Sequence, residues 1–200
     1  MINVDELQAI AEAMAAQQIE FDPGLSDEEI SAVEQICGFR FPADLRIFLQ
    51  IGVPRRWRRY DWVDDRFPNW REDPLAIMHD VTAQNRQMFH FDIENNGFWV
   101  DEEWGARPDR RSKAFAICDQ SLQTVPPLIP IYVHRFLPAE PNLPGNPVLS
   151  VWQPLDTLYY GYNLSNYLLR EFIPGYAEDR GQLSDYRPIR FWSKIANGVA

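Results

Sequence analysis

The chain has 200 residues, of which 46% are hydrophobic, so it can bury a sizeable core and is not a largely disordered protein. It carries 29 acidic and 19 basic residues, which gives a net charge of −10. That charge opposes binding to nucleic acid, where Lys and Arg neutralise phosphates, and it favours a basic partner.

The first residues, MINVDELQAI, contain no basic stretch followed by a long apolar run, and we expect neither a secretory signal nor a transmembrane span. A cytoplasmic protein with no membrane partner is therefore expected. Cys37 and Cys118 are the two cysteines, and both have apolar neighbours. We expect two reduced, buried thiols rather than a disulfide or a metal site.

Helices are predicted in the first fifty residues. The first has apolar residues at i, i+3, i+4 and i+7, namely Leu7, Ile10, Ala11, Met14 and Ala15. The second begins with a capping box of Ser26 and Glu29 and ends at Gly38. Its expected inner face consists of Ile30, Val33, Ile36 and Cys37.

A third helix is predicted from Pro42, as its first residue, to Gly52, and the middle of the chain after it is less regular. Residues 54–73 show no clean period and are predicted to follow the surface. Residues 74–89 and 107–125 have helical patterns, the second beginning basic and becoming apolar. Residues 90–100 are interpreted as two short segments around the turn residues Asn95-Asn96-Gly97.

The last third is predicted to be rich in strands. LIPIYV, NPVLSVW and TLYYG are short segments that are rich in β-branched and aromatic residues and are bounded by Pro and Gly. Pro130 inside the first indicates an edge strand or a bulge. Asn163 is expected to cap a closing helix, and Ile189, Phe191 and Trp192 indicate a tail that docks. Helices followed by strands and a helix predict an α+β fold with a central, mostly antiparallel sheet.

The stretch RRWRRYDW, from Arg55 to Trp62, resembles a nucleic-acid-binding segment because arginines alternate with aromatic rings. Asp61 within it and Asp64 and Asp65 just after it nearly balance its charge. We therefore interpret it as a surface loop whose arginines pair with nearby acids and whose Trp57, Tyr60 and Trp62 anchor it to the core.

The three histidines have no tight metal-ligand spacing, so a zinc site is not expected; an extended HFD segment would place His90 and Asp92 on one side. His134, Arg135 and Glu140 lie close together in YVHRFLPAEP and are a candidate acid–base cluster. The structural alternative is an Arg135–Glu140 pair with His134 bonded to the backbone of the loop.

Two acidic clusters lie beside large apolar residues and are the candidate partner-binding residues. Acids next to exposed aromatics are typical of a charge-complementary interface, although a solvated face is the alternative. The residues are Asp64, Asp65, Asp101, Glu102 and Glu103.

Several long motifs, in this order, resemble the SUKH superfamily of the Smi/Knr type, in a bacterial branch. The similarity runs from about Phe21 to Phe172, with Val133 where a glycine is expected and Pro154 inserted in WQPLD. The motifs are GLSDEEISAVEQICGFRFPADLRIFLQIG, FPNWRED, FDIENNGFWVDEEWGARP, PLIPIYVHRFLPAEP, GNPVLSVWQ and LYYGYNLSNYLLREF.

This resemblance implies an α+β domain, which we place over residues 21–175. The predicted helix in 1–20 and the tail in 176–200 lie outside the resemblance. Many bacterial members are immunity proteins that bind and neutralise a cognate toxin, and fungal relatives are regulatory interaction hubs. No catalytic residues come with the family, and we expect neither a cofactor nor a metal. We therefore expect a protein-binding module with a basic toxin domain as partner. The alternatives are a regulatory scaffold and, third, an enzyme centred on His134.

Overall fold

The computed structural model describes residues 3–57, 67–176 and 181–198. Within these residues the helices are α1 (Val4–Ala16), α2 (Asp27–Cys37), α3 (Ala43–Ile51), α4 (Pro74–Asn95), α5 (Asp101–Trp104), α6 (Arg111–Leu122), α7 (Leu164–Phe172) and α8 (Trp192–Ala196). The strands are β1 (Ile19–Pro23), β2 (Gly52–Trp57), β3 (Leu128–Tyr132), β4 (Arg135–Pro138), β5 (Val148–Ser150) and β6 (Leu158–Gly161). Single 3-10 turns lie at Pro154–Asp156 and Leu183–Asp185.

The strands form two antiparallel sheets, and the predicted α+β class is confirmed. β1 pairs with β2, while the larger sheet has the order β3-β4-β5-β6. β3 is an edge strand whose register shifts between Pro130 and Tyr132, as the missing N–H of Pro130 predicts. No helix among the described residues is long and apolar enough to cross a membrane.

The larger sheet is the middle layer between two groups of helices. Side chains along a strand alternate between its two faces, so neighbours enter different cores. In β4, Phe136 belongs to one core and Leu137 to the other. The first core contains apolar side chains of α1, α2, α3 and α7, and the second those of α4, α5, α6 and α8. Strands buried on both faces explain why this part of the sequence is almost continuously apolar.

The second helix follows the prediction at its ends but not on its whole inner face. Ser26 and Glu29 form the capping box, and Gly38 ends the helix with φ 72°. Ile36, however, is 53% exposed. It lies six residues after Ile30, about 240° around the helix, which turns the side chain away from the core. Cys37, one residue later, is half-buried rather than fully buried.

The boundaries of the third helix differ from the prediction by one residue. Pro42 is the N-cap and Ala43 the first helical residue, because the extended backbone of Pro42 precedes the helix. Leu45, Phe48 and Leu49 face inward as predicted.

The predicted surface segment after Gly52 is wrong in its first part. Residues 52–57 form β2, which pairs with β1. β1 was not predicted, because it ends in Asp22-Pro23-Gly24, residues that favour a turn. Trp57 is buried and its indole N–H donates to the backbone oxygen of Gln17 at 3.1 Å, so it anchors the segment. Arg55 lies 3.3 Å from Asp22 and 3.7 Å from Glu72. Residues 58–66, including Tyr60 and Trp62, lie outside the described residues.

The two predicted segments around Asn95 are wrong as well, because α4 continues to Asn95. Phe89 and Ile93 are four residues apart on one face, and both are fully buried in the second core. That burial outweighs the turn propensity of Asn-Asn-Gly until Gly97, where φ is 73°. His90 and Asp92 are therefore about 200° apart around a helix and not on one side of a strand.

The ends of the chain pack into the two cores. Leu7, Ile10, Ala11 and Met14 of α1 are buried in the first core, whereas Ala15 is exposed. In the tail, Ile189, Phe191 and Trp192 are buried in the second core. Both ends therefore contribute to the packing of the sheet.

Candidate functional site

The candidate acidic residues of the second cluster lie on α5 and are exposed, but the aromatic rings beside them are not. Trp99 and Trp104 are buried in the second core. Lys194 of α8 donates to Glu103 at 2.7 Å and to Glu102 at 3.1 Å. The α5 acids are thus a charged surface without an exposed aromatic anchor. Asp64 and Asp65 lie outside the described residues.

The structure does not bring His134, Arg135 and Glu140 together. β4 begins at Arg135 and ends at Pro138, and Glu140 is exposed two residues beyond it. No ion pair joins Arg135 and Glu140, both of which are among the described residues. The Arg135–Glu140 pair expected as the structural alternative is therefore wrong. Arg135 instead donates to the Ser150 hydroxyl at 2.9 Å and lies 3.7 Å from the centre of the Tyr160 ring.

Four exposed apolar side chains lie at the same end of the larger sheet. A row of paired residues, Tyr132 with Arg135, Arg135 with Ser150 and Ser150 with Leu158, marks this end. The turn at residues 133–134 and the connection 151–157 both leave the sheet here. We call Val133, His134, Trp152, Leu155 and Leu158 the sheet-end patch; the exposed fractions of its apolar members are 58% for Val133, 52% for Trp152, 53% for Leu155 and 44% for Leu158.

Backbone and ring contacts hold the two connections of the patch together. The Val151 N–H donates to the His134 carbonyl at 3.0 Å. The rings of His134 and Trp152 meet edge to face, 5.7 Å between centres. The exposed Trp152 ring is therefore positioned by its neighbours rather than being a free side chain.

Asp92 fixes the remaining part of the patch to α4. Its carboxylate is fully buried, accepts from the Leu155 N–H at 3.0 Å, and accepts from the Asn96 side chain at 2.6 Å. A buried carboxylate is retained only with such partners. The 3-10 turn that presents Leu155 is therefore bonded to the end of a long helix.

Val133 is held in a backbone conformation that its side chain disfavours. Its φ is 49°, in the left-handed region where a β-branched residue is rare. It is the first residue of a two-residue hairpin turn, a position where glycine is usual. The departure from the expected glycine therefore produces local strain and places an apolar side chain in solvent.

We expect Val133→Gly to raise the free energy of unfolding by about 1 kcal/mol, because glycine adopts a positive φ without strain. Val133→Ala keeps the Cβ atom and is the matched control, with a smaller gain. Urea unfolding of the three proteins measures the difference. A lower free energy of unfolding in Val133→Gly would contradict the inference that the backbone is strained at Val133.

His134 is partly buried beside this turn, and its environment disfavours the charged imidazolium. Burial lowers the pKa of His134 from its ordinary 6.5, and the charge of Arg135 acts in the same direction. Its Nδ1 atom is buried and has no hydrogen-bond partner among the described residues. The ring is therefore neutral at pH 7.

Acid is expected to destabilise the protein partly through His134. As the pH falls below 6.5, the unfolded chain takes up a proton at this residue before the folded chain does, so stability is lost until the folded pKa is passed. Urea midpoints measured above and below pH 6.5 should differ less for His134→Gln than for the unaltered protein. An identical pH dependence in both would show that other groups cause the loss.

A second polar cluster joins α4 to α6, and sequence spacing did not reveal it. His90 Nε2 lies 2.8 Å from Asp119 Oδ1, and Arg86 donates to the same carboxylate at 2.9 and 2.8 Å. Burial alone would raise the pKa of Asp119, but the bonds from Arg86 and His90 outweigh it and the pKa is lowered from 3.8. The Cys118 thiol lies close by, is fully buried, and has a pKa raised by burial to about 12.

No family model matches the chain, and neither a curated protein nor a solved structure matches it. The resemblance to the SUKH superfamily therefore rests on the sequence motifs alone.

Proposed function

We propose that this protein is a non-catalytic binding module of the immunity type, which binds and neutralises a basic toxin domain. The observation that carries the proposal is the sheet-end patch. Exposed tryptophan at a rigid, apolar site is typical of the residues that dominate protein–protein affinity. Trp152 is half-exposed, and ring and backbone contacts restrict its position.

Strain at Val133 supports a binding role for the same surface. Residues in disfavoured backbone conformations are concentrated at binding and catalytic sites, where the strain serves the interaction. The side chain of Val133 is largely in solvent, so it gives little to the fold in return. If the partner covers Val133 and Trp152 with an apolar part of its surface, both side chains leave water on binding. Their burial then adds to the binding free energy.

The charge of the chain supports a basic partner. A net charge of −10 accelerates encounter with a positively charged domain through long-range attraction. Asp156 is exposed within the connection that carries Trp152 and Leu155. A toxic nuclease, whose cleft must attract phosphates, has the required positive surface.

The proposal is tested by isolating the partner and measuring growth. A tagged chain is used to capture the partner from the native cell, and the identified domain is expressed alone and together with this protein. We expect the domain to be basic, lethal alone, and harmless in the presence of this chain. A single non-toxic partner would contradict immunity and favour the regulatory scaffold.

The growth test also shows whether the sheet-end patch contacts the toxin. Leu155→Ala is expected to weaken rescue, whereas Leu75→Ala, which removes an equally exposed leucine on α4, is expected to leave it unchanged. Equal rescue by both variants would exclude Leu155 as a contact.

The α5 acids are expected to act on the association rate. Reversing Asp101, Glu102 and Glu103 to Lys should slow association with the toxin and flatten its salt dependence, because rim charges act mainly on encounter. Reversing Asp5, Glu6 and Glu12 of α1, which packs on the opposite face of the sheet, is the control with the same change in net charge. Stopped-flow kinetics at several salt concentrations distinguish them. Equal slowing by both triples would mean that net charge, and not the α5 surface, steers the toxin.

A further inference from the structure

The cluster between α4 and α6 contains three side chains of types that bind zinc. One ligand atom from each of His90, Cys118 and Asp119 lies within 4.8 Å of the other two. Ligands of tetrahedral zinc are about 3.3–3.8 Å apart, since Zn–N and Zn–O distances are about 2.0–2.2 Å and Zn–S about 2.3 Å. Shifts of about 1 Å in side chains are therefore enough to bring the three atoms around one ion.

We propose that His90, Cys118 and Asp119 bind a zinc ion between α4 and α6, with water as the fourth ligand. This inference is independent of the proposed binding function. It uses nitrogen, sulfur and oxygen donors, the set that zinc accepts in proteins.

The present contacts already orient the ligands. His90 stacks on Phe115 with 4.0 Å between ring centres and 2° between planes, which fixes the direction of Nε2. Zinc would replace the proton on Nε2 that now bonds to Asp119, and the neutral imidazole would carry its proton on Nδ1. The Cys118 thiol would release its proton to solvent.

Arg86 supplies the outer contact that a metal-bound carboxylate requires. It donates to both oxygens of Asp119, and His90 also bonds to Oδ1. Zinc in place of the Nε2 proton would free one acceptor position on Oδ1, and Oδ2 has one position beside its bond from Arg86. The two anionic ligands balance the charge of the ion. About a fifth of the His90 side chain and a quarter of the Asp119 side chain are exposed, so solvent reaches the fourth position.

The experiment uses the full chain, stripped of metal with a chelator and reduced with a phosphine, and titrated with Co²⁺. We expect one equivalent of tetrahedral cobalt with a near-ultraviolet thiolate-to-cobalt charge-transfer band, which zinc then removes. The band should disappear in Cys118→Ser and persist in Cys37→Ser. Absence of the band in the unaltered protein, or its persistence in Cys118→Ser, would overturn the proposal.

A second pair of variants avoids the buried thiol, whose replacement could weaken folding. Asp119→Asn and His90→Gln change ligands that are partly exposed, and both should prevent zinc from raising the thermal midpoint. His79→Gln with Asp80→Asn is the control, because these residues form an exposed His–Asp contact at 3.5 Å on the same helix. A zinc-induced rise that survives Asp119→Asn and His90→Gln would place the metal elsewhere and overturn the site.

Discussion

Trp192→Ala is expected to lower the free energy of unfolding by about 3–5 kcal/mol, the usual cost of deleting a large buried aromatic side chain. Trp192 is 2% exposed in the second core. Its ring meets Phe191 and Phe89 edge to face, with 5.3 and 6.1 Å between centres. Its indole N–H donates to the Pro126 carbonyl at 2.8 Å, so the variant also leaves a buried acceptor unpaired.

Urea unfolding followed by circular dichroism measures this cost. Trp192→Phe keeps a ring but loses the bond to Pro126 and should give a smaller loss. Trp152→Ala is the matched control at an exposed tryptophan, where a change within about 0.5 kcal/mol is expected. A loss below about 1 kcal/mol in Trp192→Ala would mean that the tail contributes little to the second core.

Helix ends, and strands rich in β-branched residues, could be predicted because they depend mainly on residues close in sequence. The Ser26 capping box and the caps at Gly38 and Asn163 depend on residues within one turn, and all three are present. The predictions for the middle of the chain were wrong because the structure there depends on contacts between residues far apart in sequence. β2 forms because β1, 29 to 38 residues earlier in the paired positions, supplies its hydrogen bonds. α4 continues through Asn95 because distant residues bury Phe89 and Ile93.

Among the candidate sites, too, features with a local cause could be predicted and features that depend on distant residues could not. The unusual turn at Val133 was visible as a departure from an expected glycine, and the structure gives it a positive φ. His90 was considered with Asp92, its near neighbour in sequence, whereas it bonds to Asp119, 29 residues away. Trp152 gave no signal at all, because exposure of an aromatic residue at a sheet end depends on where the whole sheet terminates.

Trp152→Ala is expected to have the largest effect on the proposed complex, raising Kd about 30- to 700-fold. Removing a central tryptophan from an interface costs about 2–4 kcal/mol, and each 1.4 kcal/mol is tenfold in affinity. Isothermal titration with the isolated toxin domain measures the change. Leu75→Ala, at an exposed site on α4, should leave Kd within twofold to threefold, since about 0.5 kcal/mol is the usual limit for a surface change away from contacts.

Kinetics separate the two surfaces of the proposed interface. Loss of Trp152 should act on dissociation, because an apolar anchor contributes only after the partners are in contact. Reversal of the α5 acids should act on association and should be masked by salt, because exposed charges are screened within about 10 Å at 0.1 M. Combining the two changes should then give nearly additive effects, since the anchor and the charges act at different stages of binding. A Trp152→Ala variant that binds with unchanged Kd would remove the sheet-end patch from the interface and leave the charged surface of α5 as the remaining candidate.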